Sequence, residues 1–393
     1  MPITKEEREK LINAAKEKFV QLLDSQLDRV ETINAAGGFT DYSKLDKIVI
    51  GVCGGDGIGP MISSVSQSVL QYLLADEVKK DKIEFKTIEG LTLENRIAQN
   101  KAIPDGVLEN LKSCNVILKG PMETPQAGDG RPNLESANVA MRKALDLFAN
   151  VRPVKVPSQG IDWTFFRENT EGAYAVGSQG IHVSEDLAVD FAVTTTEGTN
   201  RIARLAYEFA KNNGKDHVTI VTKANVIKTT DGKFLNICQQ ISKQYPEIKT
   251  TDWIIDIMTA DLINEKRRTD FKVFILPNLY GDILTDEAAQ IQGGVGTAGS
   301  ANIGKKYAMF EAIHGTAPRM AASGRAQYAD PCSMLRASVM LLEHIGYKAL
   351  ALKLERALDI CMFEERRLVI TGRETGATCA EFAEYVKEKI TEG

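Results

Sequence analysis

The spacing of apolar and polar residues first predicts a long helix at the start of the chain. Residues 4–35 place apolar side chains on one face, with Lys and Glu on the other. The predicted apolar face consists of Leu11, Ala15, Phe19, Leu22 and Leu23. A polar linker with a pair of glycines follows and runs to Lys47.

Beyond the linker, short β-branched runs alternate with segments of helical period. The predicted strands are 47–53, 83–88, 115–119, 150–156, 161–167, 217–222, 252–257, 271–276 and 307–312. The predicted helices are 61–78, 105–113, 197–212, 233–244, 282–292, 332–345, 349–363 and 378–390. Such alternation indicates an α/β protein with a largely parallel sheet. Residues 173–196 lack a helical period and are predicted to form an extended arm, and residues 293–304 a glycine-rich loop.

The stretch Ser136–Arg152 combines an apolar stripe with polar and basic residues. Ser136 and Asn138 stand at the start of a predicted helix, and Arg142 and Arg152 follow. Because backbone N–H groups at a helix N-terminus and guanidinium groups attract carboxylates, the stretch is suited to bind a small polyanion. The alternative is a capping serine with two solvated arginines. The stripe at helical spacing consists of Ala137, Met141, Ala144, Leu145, Phe148 and Val151.

Composition is typical of a globular protein and narrows the range of partners. The chain has 393 residues, enough for two lobes, and a net charge of −5, which gives no support for binding to nucleic acid or to a membrane surface. No apolar run approaches the ~20 residues that span a bilayer. The first ten residues are too charged for a secretory signal and too acidic for a transit peptide, so we expect a cytoplasmic protein. Six cysteines without a CxxC pair predict reduced, buried thiols.

The glycine-rich segment 54–60 does not match the dinucleotide-binding fingerprint. Relative to Gly55 and Gly57, the last glycine, Gly59, comes one position early. No acidic residue closes the next strand, where a ribose would need it. A tight turn into a helix with Pro60 at its first position explains the segment better.

Three further candidates follow predicted strands. Arg167 ends one strand and can add a third guanidinium group to an anion site, and Tyr174 can donate a proton. Lys223 ends another strand and is a candidate general acid or base, since ligands bind beyond the carboxyl ends of strands in open α/β sheets. The alternatives are a surface arginine, a packing tyrosine and a solvated lysine.

Two aspartates, Asp282 and Asp286, lie four residues apart and therefore share one face of a predicted helix. Like charges at this spacing repel unless a cation offsets them, and paired carboxylates suit Mg²⁺ or Mn²⁺. Asp256, predicted at the end of a strand, is a third candidate ligand. The alternative is a helix carboxylate with an exposed neighbour. The loop around His314 contains small residues that allow close approach of a ligand, which favours a cofactor-lining loop.

Together these motifs resemble the β-decarboxylating dehydrogenases, the family of isocitrate, 3-isopropylmalate, homoisocitrate and tartrate dehydrogenases. The likeness covers residues 46–390 and is closest to isocitrate dehydrogenases, especially the NAD-dependent mitochondrial type. The motifs occur in the family's order. They are Gly-Gly-Asp-Gly-Ile-Gly-Pro (54–60), Lys-Gly-Pro (119–121), Ser136-x-Asn138-x-x-x-Arg142, Asn150-Val-Arg152-Pro, Arg167-Glu-Asn-Thr-Glu-Gly with Tyr174, Lys223-Ala-Asn225, Asn278-Leu-Tyr-Gly-Asp282 with Asp286, Ala301-Asn-Ile-Gly304 and His314-Gly-Thr-Ala-Pro318.

The resemblance implies a two-domain α/β fold of the isocitrate/isopropylmalate dehydrogenase type, which is not a Rossmann fold. The large domain would be built from both chain ends, and the smaller central domain would carry an arm that clasps a second subunit. The implied parts are a helical extension (1–45), the large domain (46–147 and 293–393), the small domain (148–171 and 197–292) and the dimer arm (172–196).

The resemblance also implies the activity, a metal-dependent oxidative decarboxylation of isocitrate to 2-oxoglutarate and CO₂ in the tricarboxylic acid cycle. Arg142, Arg152 and Arg167 would hold the substrate carboxylates. Ser136 and Asn138 would select isocitrate, since its γ-carboxylate needs hydrogen-bond donors where isopropylmalate enzymes present apolar side chains.

The implied catalytic groups are Lys223, which would take up the hydroxyl proton, and Tyr174, which would protonate the carbanion carbon. Asp256, Asp282 and Asp286 would bind Mg²⁺ or Mn²⁺. In a homodimer or larger assembly, Asp256 and Lys223 would reach the site from the partner subunit. The NAD-binding residues would be Thr124, Asn225, Glu311, His314, Gly315, Thr316, Ala317, Arg319 and Asp330.

Three departures from the family pattern concern the cofactor and a loop. Extra residues around 128–135 reshape the loop before Ser136. Arg319 stands where NAD-dependent members place Asp, and a guanidinium group would pair with the 2′-phosphate of NADP. The spacing after Thr371 is that of the NAD type, so NAD is favoured and NADP is the alternative. Asp330 replaces an Asn that the family often has before Pro.

Alternative activities are those of homoisocitrate, tartrate or 3-isopropylmalate dehydrogenase. A non-catalytic regulatory subunit is a further alternative, because mitochondrial NAD-type enzymes include such relatives. Regulatory relatives usually lose a catalytic Tyr, Lys or metal-binding Asp. All of these residues are present here, which favours an active enzyme.

Overall fold

The computed structural model describes residues 3–125, 128, 130–132, 134–177 and 179–392. The strands found in these ranges are β1 (Ile48–Cys53), β2 (Ile83–Thr87), β3 (Val116–Lys119), β4 (Ala149–Val156), β5 (Ile161–Glu168), β6 (Ile181–Ser184), β7 (Leu187–Val189), β8 (His217–Thr222), β9 (Lys249–Ile254), β10 (Val273–Leu276), β11 (Gly299–Ile303) and β12 (Ala308–Ala312). The α-helices are α1 (Lys5–Ala35), α2 (Gly59–Leu73), α3 (Ala75–Lys79), α4 (Leu93–Gln99), α5 (Asp105–Lys112), α6 (Ala137–Ala144), α7 (Thr196–Asn212), α8 (Thr230–Ser242), α9 (Ile255–Leu262), α10 (Asn278–Gln292), α11 (Pro318–Ala322), α12 (Cys332–His344), α13 (Lys348–Asp359) and α14 (Cys379–Glu392).

The predicted alternation of strands and helices is confirmed. β8 covers the residues predicted for it, and β1, β5 and α7 begin within one residue of their predicted positions. The sequence pattern does not predict α4, α11 or β11. β11 lies in the predicted glycine-rich loop, where Gly299 packs so closely on α12 that a Cβ atom would lie 2.3 Å from Ala337 N. Tertiary packing, which a local pattern does not record, therefore decides this strand.

The single apolar stripe predicted from Ser136 to Arg152 is wrong beyond Ala144, where α6 ends. Asp146 takes a left-handed conformation with φ of 47°, and the Leu147 N–H donates to the Arg142 carbonyl at 2.8 Å. These features close the helix. Val151 then lies in β4. The apolar residues of the stripe are consequently divided between a helix and a strand.

Two other element boundaries differ from the predicted ones, and they change the elements on which candidate residues lie. β9 ends at Ile254, so Asp256 is the second residue of α9 and does not end a strand as predicted. α2 begins at Gly59, which makes Pro60 its second residue, consistent with the predicted turn into a helix. Residues 129 and 133 of the predicted inserted loop lie outside the described residues.

The chain divides into two compact units. The smaller unit comprises Met1–Gly38 and Phe165–Leu284, and the larger comprises Phe39–Thr164 and Thr285–Gly393. The divisions fall within β5 and α10. The larger unit thus includes both residues 148–164 and 285–292, which the sequence analysis assigns to the small domain. The full domain scheme, including the arm at 172–196, stays a prediction.

The larger unit contains a mostly parallel set of strands in the order β2–β1–β3–β12–β11–β4. β1 pairs in parallel with β2 and β3, and β3 with β12. β11 runs antiparallel to both of its neighbours. A core of fully buried apolar side chains packs beside these strands, among them Cys53, Leu111, Ile117, Met141 and Met309. Its burial supplies the main driving force for folding.

The smaller unit contains the end of β5 and the strands β10, β8 and β9 in this order, and the pairs β10–β8 and β8–β9 are parallel. A separate antiparallel pair, β6–β7, packs with α1. Within that contact Leu22 is buried against Val176 and Ile181. Phe19 and Leu23 remain 44% and 47% exposed, and the Phe19 ring lies 5.3 Å from the ring of Phe191.

All six cysteines are buried free thiols, as predicted. Burial raises the pKa of Cys53 to about 12, which keeps this thiol protonated at neutral pH. No helix in the described ranges combines the length and the apolar character that a membrane span requires.

A buried ion pair fixes the turn after β1. Arg96 Nη2 donates to Asp56 Oδ2 at 3.2 Å and to the Glu123 carbonyl at 2.6 Å. The Asp56 carboxylate also accepts the backbone N–H groups of Leu93 and Glu123. Arg96 is fully buried and Asp56 is 8% exposed. Each charged group therefore depends on the other to compensate for the hydration that it loses on burial.

We expect Arg96→Met to lower the free energy of unfolding by about 3–5 kcal/mol, because it leaves a buried carboxylate without its cation. Urea denaturation of the variant and the wild type measures the difference. Lys80→Met is the matched control, since Lys80 pairs with Glu77 at the surface and should change stability little. Equal effects of the two variants would contradict the structural role of the buried pair.

Candidate active site

In the smaller unit, Arg167, Tyr174 and Asp282 lie together. Arg167 is 1% exposed, and its Nη1 donates a hydrogen bond to Asp282 Oδ1. Tyr174 OH donates to Asp282 Oδ2 at 3.1 Å, and Arg167 lies 5.7 Å from the centre of the Tyr174 ring. Arg167 is therefore a buried residue in contact with two other predicted site residues, and the alternative of a surface arginine is wrong.

The first turn of α10 allows this close approach. Asn278 Oδ1 accepts both Arg167 Nε at 2.9 Å and Nη2 at 2.7 Å. A Cβ atom at Gly281 would lie 2.5 Å from Arg167 Cγ, so a larger residue there would displace the arginine. The Asn-x-x-Gly-Asp spacing thus places an amide acceptor, a glycine without a side chain and a carboxylate around one guanidinium group.

Lys223 and Asp256 form a second contact in the smaller unit. Because β8 and β9 are parallel, their carboxyl ends meet at one edge. Lys223 directly follows β8, and its ammonium group pairs with the Asp256 carboxylate at the start of α9. The hydrogen bond from Lys223 lowers the pKa of Asp256. The Lys223 N–H donates to buried Asp231 at 2.7 Å, which fixes the backbone beneath the ammonium group.

In the larger unit, Arg152 contacts the C-terminal part of α10. Arg152 Nη1 donates to Thr285 Oγ1 at 2.6 Å and to Asp286 Oδ1 at 3.0 Å. Arg152 is 7% exposed, whereas the Asp286 side chain is 59% exposed. The strand β4 therefore presents a nearly buried guanidinium group to a carboxylate that solvent can still reach.

Arg142 contacts Glu311, a predicted cofactor residue. Arg142 Nη2 lies 3.1 Å from Glu311 Oε1, and Lys119 Nζ lies 2.7 Å from Oε2. Asn302 Nδ2 donates to Oε1 at 2.7 Å. Burial raises the pKa of Glu311, but Lys119 and Arg142 outweigh it and hold this pKa well below its usual range. Glu311 is therefore ionised at neutral pH, and it orients Arg142.

Ser136 precedes α6 and makes no capping hydrogen bond, contrary to the simple capping interpretation. Thr124 Oγ1 donates to Ser136 Oγ at 3.4 Å, and Thr124 is exposed. In the first turn of α6, Asn138 Oδ1 is buried without a hydrogen-bond partner among the described residues. Both side chains therefore have hydrogen-bonding capacity that the surrounding protein leaves unused, as a substrate-selecting pair requires.

Most of the remaining predicted cofactor residues lie on loops, and Arg319 lies on a helix. His314 Nδ1 is 2.9 Å from the Gly315 carbonyl, and the Thr316 carbonyl accepts the Ile58 N–H at 3.0 Å. Ala317 takes a left-handed conformation with φ of 46° and leads into α11, on which Arg319 is exposed. Asp330 Oδ1 accepts the Cys332 N–H at 2.9 Å, and Asn225 is exposed just after Lys223.

Each predicted metal ligand is paired with a predicted basic site residue. The pairs are Asp256 with Lys223, Asp282 with Arg167 and Asp286 with Arg152. Among the described residues of this single chain, no group of three or more His, Cys, Asp or Glu side chains is arranged to hold a metal.

Sequence reasoning missed several supporting residues. Lys119, Asn278, Thr285 and Asn302 contact predicted site residues directly. Three of them lie within or beside the motifs quoted above. Thr285 carries no such signal except its place before Asp286.

Glu168, next to Arg167, has an unusual pKa. It is 2% exposed and accepts the Thr170 N–H at 2.9 Å, the Thr170 hydroxyl at 2.7 Å and the Glu171 N–H at 2.6 Å. Burial, and then the neighbouring charge of Glu171, raise its pKa to about 7. A carboxyl group with a raised folded-state pKa stabilises the fold below its unfolded pKa, and this stabilisation is lost as the pH rises through 7.

We therefore expect the free energy of unfolding to fall between pH 5 and pH 8 by on the order of 1–3 kcal/mol more in the wild type than in Glu168→Gln. Denaturation curves across this range measure the difference. Glu185→Gln, an exposed residue of the same unit, is the control and should keep the wild-type pH dependence. If Glu168→Gln also keeps it, the carboxyl group does not titrate in this range.

Comparisons with known proteins identify the class of this protein. The family model described as isocitrate/isopropylmalate dehydrogenase matches residues 49–386. The chain belongs to this family. The prediction of the family and of its enzyme class, the decarboxylating dehydrogenases, is confirmed.

Within the family, the chain is similar to isocitrate dehydrogenases. A mitochondrial protein of Dictyostelium discoideum, named as a regulatory subunit of isocitrate dehydrogenase (NAD), is 34% identical over 359 residues, which cover 89% of this chain and 93% of that protein. The isocitrate dehydrogenase (NADP) of Rickettsia bellii is 39% identical over 313 residues, 77% of this chain. That match spans only 61% of the Rickettsia protein.

The fold comparison agrees. The crystal structure of isocitrate dehydrogenase from Methylococcus capsulatus superimposes with a TM-score of 0.76 and 34% identity, covering 87% of this chain and 99% of that one. The predicted isocitrate dehydrogenase type of fold is therefore confirmed.

Proposed function

We propose that this protein catalyses the oxidative decarboxylation of isocitrate to 2-oxoglutarate and CO₂, with reduction of a nicotinamide cofactor. The observation that carries the proposal is the burial of Arg142, Arg152 and Arg167, each held in place by acidic or amide side chains. Burying guanidinium groups is costly unless their charge is used or balanced. A tricarboxylate would use all three as bidentate partners.

Substrate selection is proposed to rest on Ser136 and Asn138. The Asn138 Oδ1 atom is buried without a partner among the described residues, and Ser136 makes only a 3.4 Å contact with Thr124. The Ser136 hydroxyl can donate to a γ-carboxylate, and Asn138 Oδ1 can accept from a water molecule bound to that carboxylate, whereas an isopropyl group offers neither partner. A site that leaves polar groups unpaired with the wrong substrate discriminates strongly against it.

We propose that the proton transfers involve Lys223 and Tyr174. A bound nicotinamide would accept hydride from C2 of the substrate. Lys223 would take up the hydroxyl proton, directly or through water, as the neutral amine, after its ammonium group has released a proton to solvent. After CO₂ departs, Tyr174 gives its hydroxyl proton to the carbanion carbon. The Asp282 carboxylate, 3.1 Å from Tyr174 OH, fixes the direction of that hydroxyl.

The chemistry of the acidic residues fits Mg²⁺ or Mn²⁺. Asp282 and Asp286 provide carboxylate oxygens one turn apart on α10, and Mg²⁺ is commonly held by one or two carboxylates together with substrate and water. We propose that Asp256 of the partner subunit completes the set in a homodimer or larger homo-oligomer. A bound cation would polarise the carbonyl group and stabilise the enolate after decarboxylation.

For the cofactor we propose NAD, with NADP as the alternative, along Thr124, Asn225, Glu311, residues 314–319 and Asp330. Relatives of both kinds are similar to the chain. Exposed Arg319 favours the extra phosphate of NADP, whereas the spacing after Thr371 favours NAD. The cytoplasmic location stays a prediction, and the Dictyostelium relative is named as mitochondrial.

One assay of the purified protein tests the proposal. Isocitrate and Mn²⁺ are supplied with NAD or NADP, and the absorbance of the reduced nicotinamide is followed. We expect turnover with isocitrate that a chelator abolishes, and little with 3-isopropylmalate, homoisocitrate or tartrate. Preference for one of those substrates would establish the corresponding alternative.

A regulatory role without catalysis is the second candidate function, favoured by the name of the Dictyostelium relative. The presence of Tyr174, Lys223, Asp256, Asp282 and Asp286 argues against it. Isocitrate binding without turnover under all of the conditions above would support the regulatory role and contradict the catalytic one.

A further inference from the structure

The long N-terminal helix α1 contributes one basic side chain to the segment that joins Arg167 to Tyr174. We refer to Glu168–Gly172 as the acidic turn. Arg29 Nη1 donates to Glu171 Oε1 at 3.0 Å, and Nη2 donates to Thr170 Oγ1 at 2.9 Å. The Glu171 side chain is 3% exposed. Both terminal nitrogens of the Arg29 guanidinium group therefore donate hydrogen bonds to the acidic turn.

Inside the acidic turn, the hydrogen bonds form a continuous network. The Thr170 hydroxyl accepts from Arg29 and donates to Glu168 Oε1 at 2.7 Å. Glu171 accepts the Thr195 N–H at 2.9 Å and also the Thr195 hydroxyl. Two nearly buried carboxylates thus lie three residues apart, and Arg29 pairs with one directly and with the other through Thr170.

The acidic turn is also connected to the proposed catalytic residues. Asn278 Nδ2 donates to the Glu171 carbonyl at 3.0 Å, while its Oδ1 accepts the Arg167 guanidinium group. Gly172 is paired with Val193 through two backbone hydrogen bonds, and Tyr174 follows two residues later. A shift of the acidic turn would therefore be passed to Tyr174 along the covalent chain.

We propose that Arg29 of α1 is a positioning residue that holds the acidic turn so that Tyr174 OH stays directed at Asp282. This inference rests on the proposed role of Tyr174 as proton donor. α1 precedes the residues matched by the family model, which begin at 49, so the family pattern gives no reason to expect it. The helix also packs on β6 and α7, which places its Arg29 against the turn.

Removing Arg29 leaves the Glu171 carboxylate nearly buried without the cation that pairs with it. The turn must then admit water or take up a proton, and either change loosens its hydrogen bonds. Catalysis is sensitive to such a change, because a displacement of about 1 Å can slow a reaction by about 100-fold.

The test compares Arg29→Met with Arg8→Met, an exposed arginine of the same helix. Hydrogen exchange of the backbone amides of residues 170–172 is measured in the resting protein, so this readout needs no turnover. We expect exchange at least about tenfold faster in Arg29→Met, since the hydrogen bonds of the turn open more often, and no change in Arg8→Met. Unchanged exchange in Arg29→Met overturns the proposal.

Kinetics then separate positioning from general destabilisation. The kinetics are measured at a temperature at which all variants are folded. Arg29→Met should lower kcat by about tenfold when Tyr174 is present, but by less than about twofold in the Tyr174→Phe background. Equal losses in both backgrounds overturn the proposal, because Arg29 would then act independently of Tyr174.

If Arg29→Met does not fold, Arg29→Lys replaces it. This variant keeps the positive charge but loses the two hydrogen bonds of the guanidinium group. We expect the exchange rate of the Thr170 amide to increase, but by less than complete loss of the Arg29 side chain would cause. An unchanged exchange rate contradicts the proposal. A wild-type protein that does not turn over isocitrate refutes the proposed function, and the exchange measurement still decides whether Arg29 holds the turn.

Discussion

Asp282→Asn should abolish metal-dependent turnover, with a loss in kcat on the order of 10³-fold. The substitution keeps the size of the side chain and removes one negative charge. It removes the charge of a proposed metal ligand and of the partner of the buried Arg167. It also leaves one acceptor oxygen where Arg167 and Tyr174 each donate to a separate carboxylate oxygen.

Turnover at several Mn²⁺ concentrations and calorimetric binding of Mn²⁺ in the presence of isocitrate measure the effect. Glu287→Gln is the matched control, because it removes one carboxylate from the same helix at a residue outside the proposed metal ligands. It should retain near-normal activity. Wild-type Mn²⁺ dependence in Asp282→Asn would remove the metal role of this residue.

Lys223→Met should lower kcat by about 10²–10⁴-fold, the usual contribution of a positioned acid or base. The dissociation constant of isocitrate should change far less, because the arginines hold the carboxylates. Steady-state kinetics together with calorimetric binding separate the two quantities. An equal loss in turnover and in binding would contradict the proton-transfer role.

The control for this residue is Lys249→Met. Lys249 is exposed and stands at the start of β9, so it lies at the opposite end of the strands from Lys223. The variant tests whether loss of any lysine from this unit slows the enzyme, and we expect wild-type kinetics.

Mixing the two inactive proteins tests whether sites are shared between subunits. If Lys223 and Asp282 of one site come from different chains, each hybrid dimer has one intact site. Random reassociation of equal amounts then restores about a quarter of wild-type activity, since half of the dimers are hybrids and half of their sites are intact. No recovery would show that both residues act within one chain or that subunits do not exchange.

Much of this fold could be predicted from local pattern. The apolar run 217–222 gives a strand with the predicted limits, and Lys223 follows it as expected. The spacing of Asp282 and Asp286 placed both on one helix, which α10 confirms. Side-chain direction repeats every 2 residues in a strand and about every 3.6 in a helix, so such features are written in short stretches of sequence.

The sequence predicts which residues form the candidate site, but it does not predict the contacts between them. Arg167 is preceded by an apolar run, yet nothing nearby indicates that it is buried. That depends on Asn278 and Gly281, more than 100 residues away, which form a surface that fits its side chain. For the same reason the sequence did not indicate that Lys119 pairs with Glu311.

The sequence by itself determined the order and kind of most strands and helices, the family of the protein and the residue types available for chemistry. Only the tertiary structure decided that β11 is a strand, that the stripe after Ala144 leaves the helix, and which acid meets which base. The physical reason is the separation along the chain over which each effect acts. Periodicity acts between neighbours along the chain, whereas burial and ion pairing depend on which distant segments are packed together.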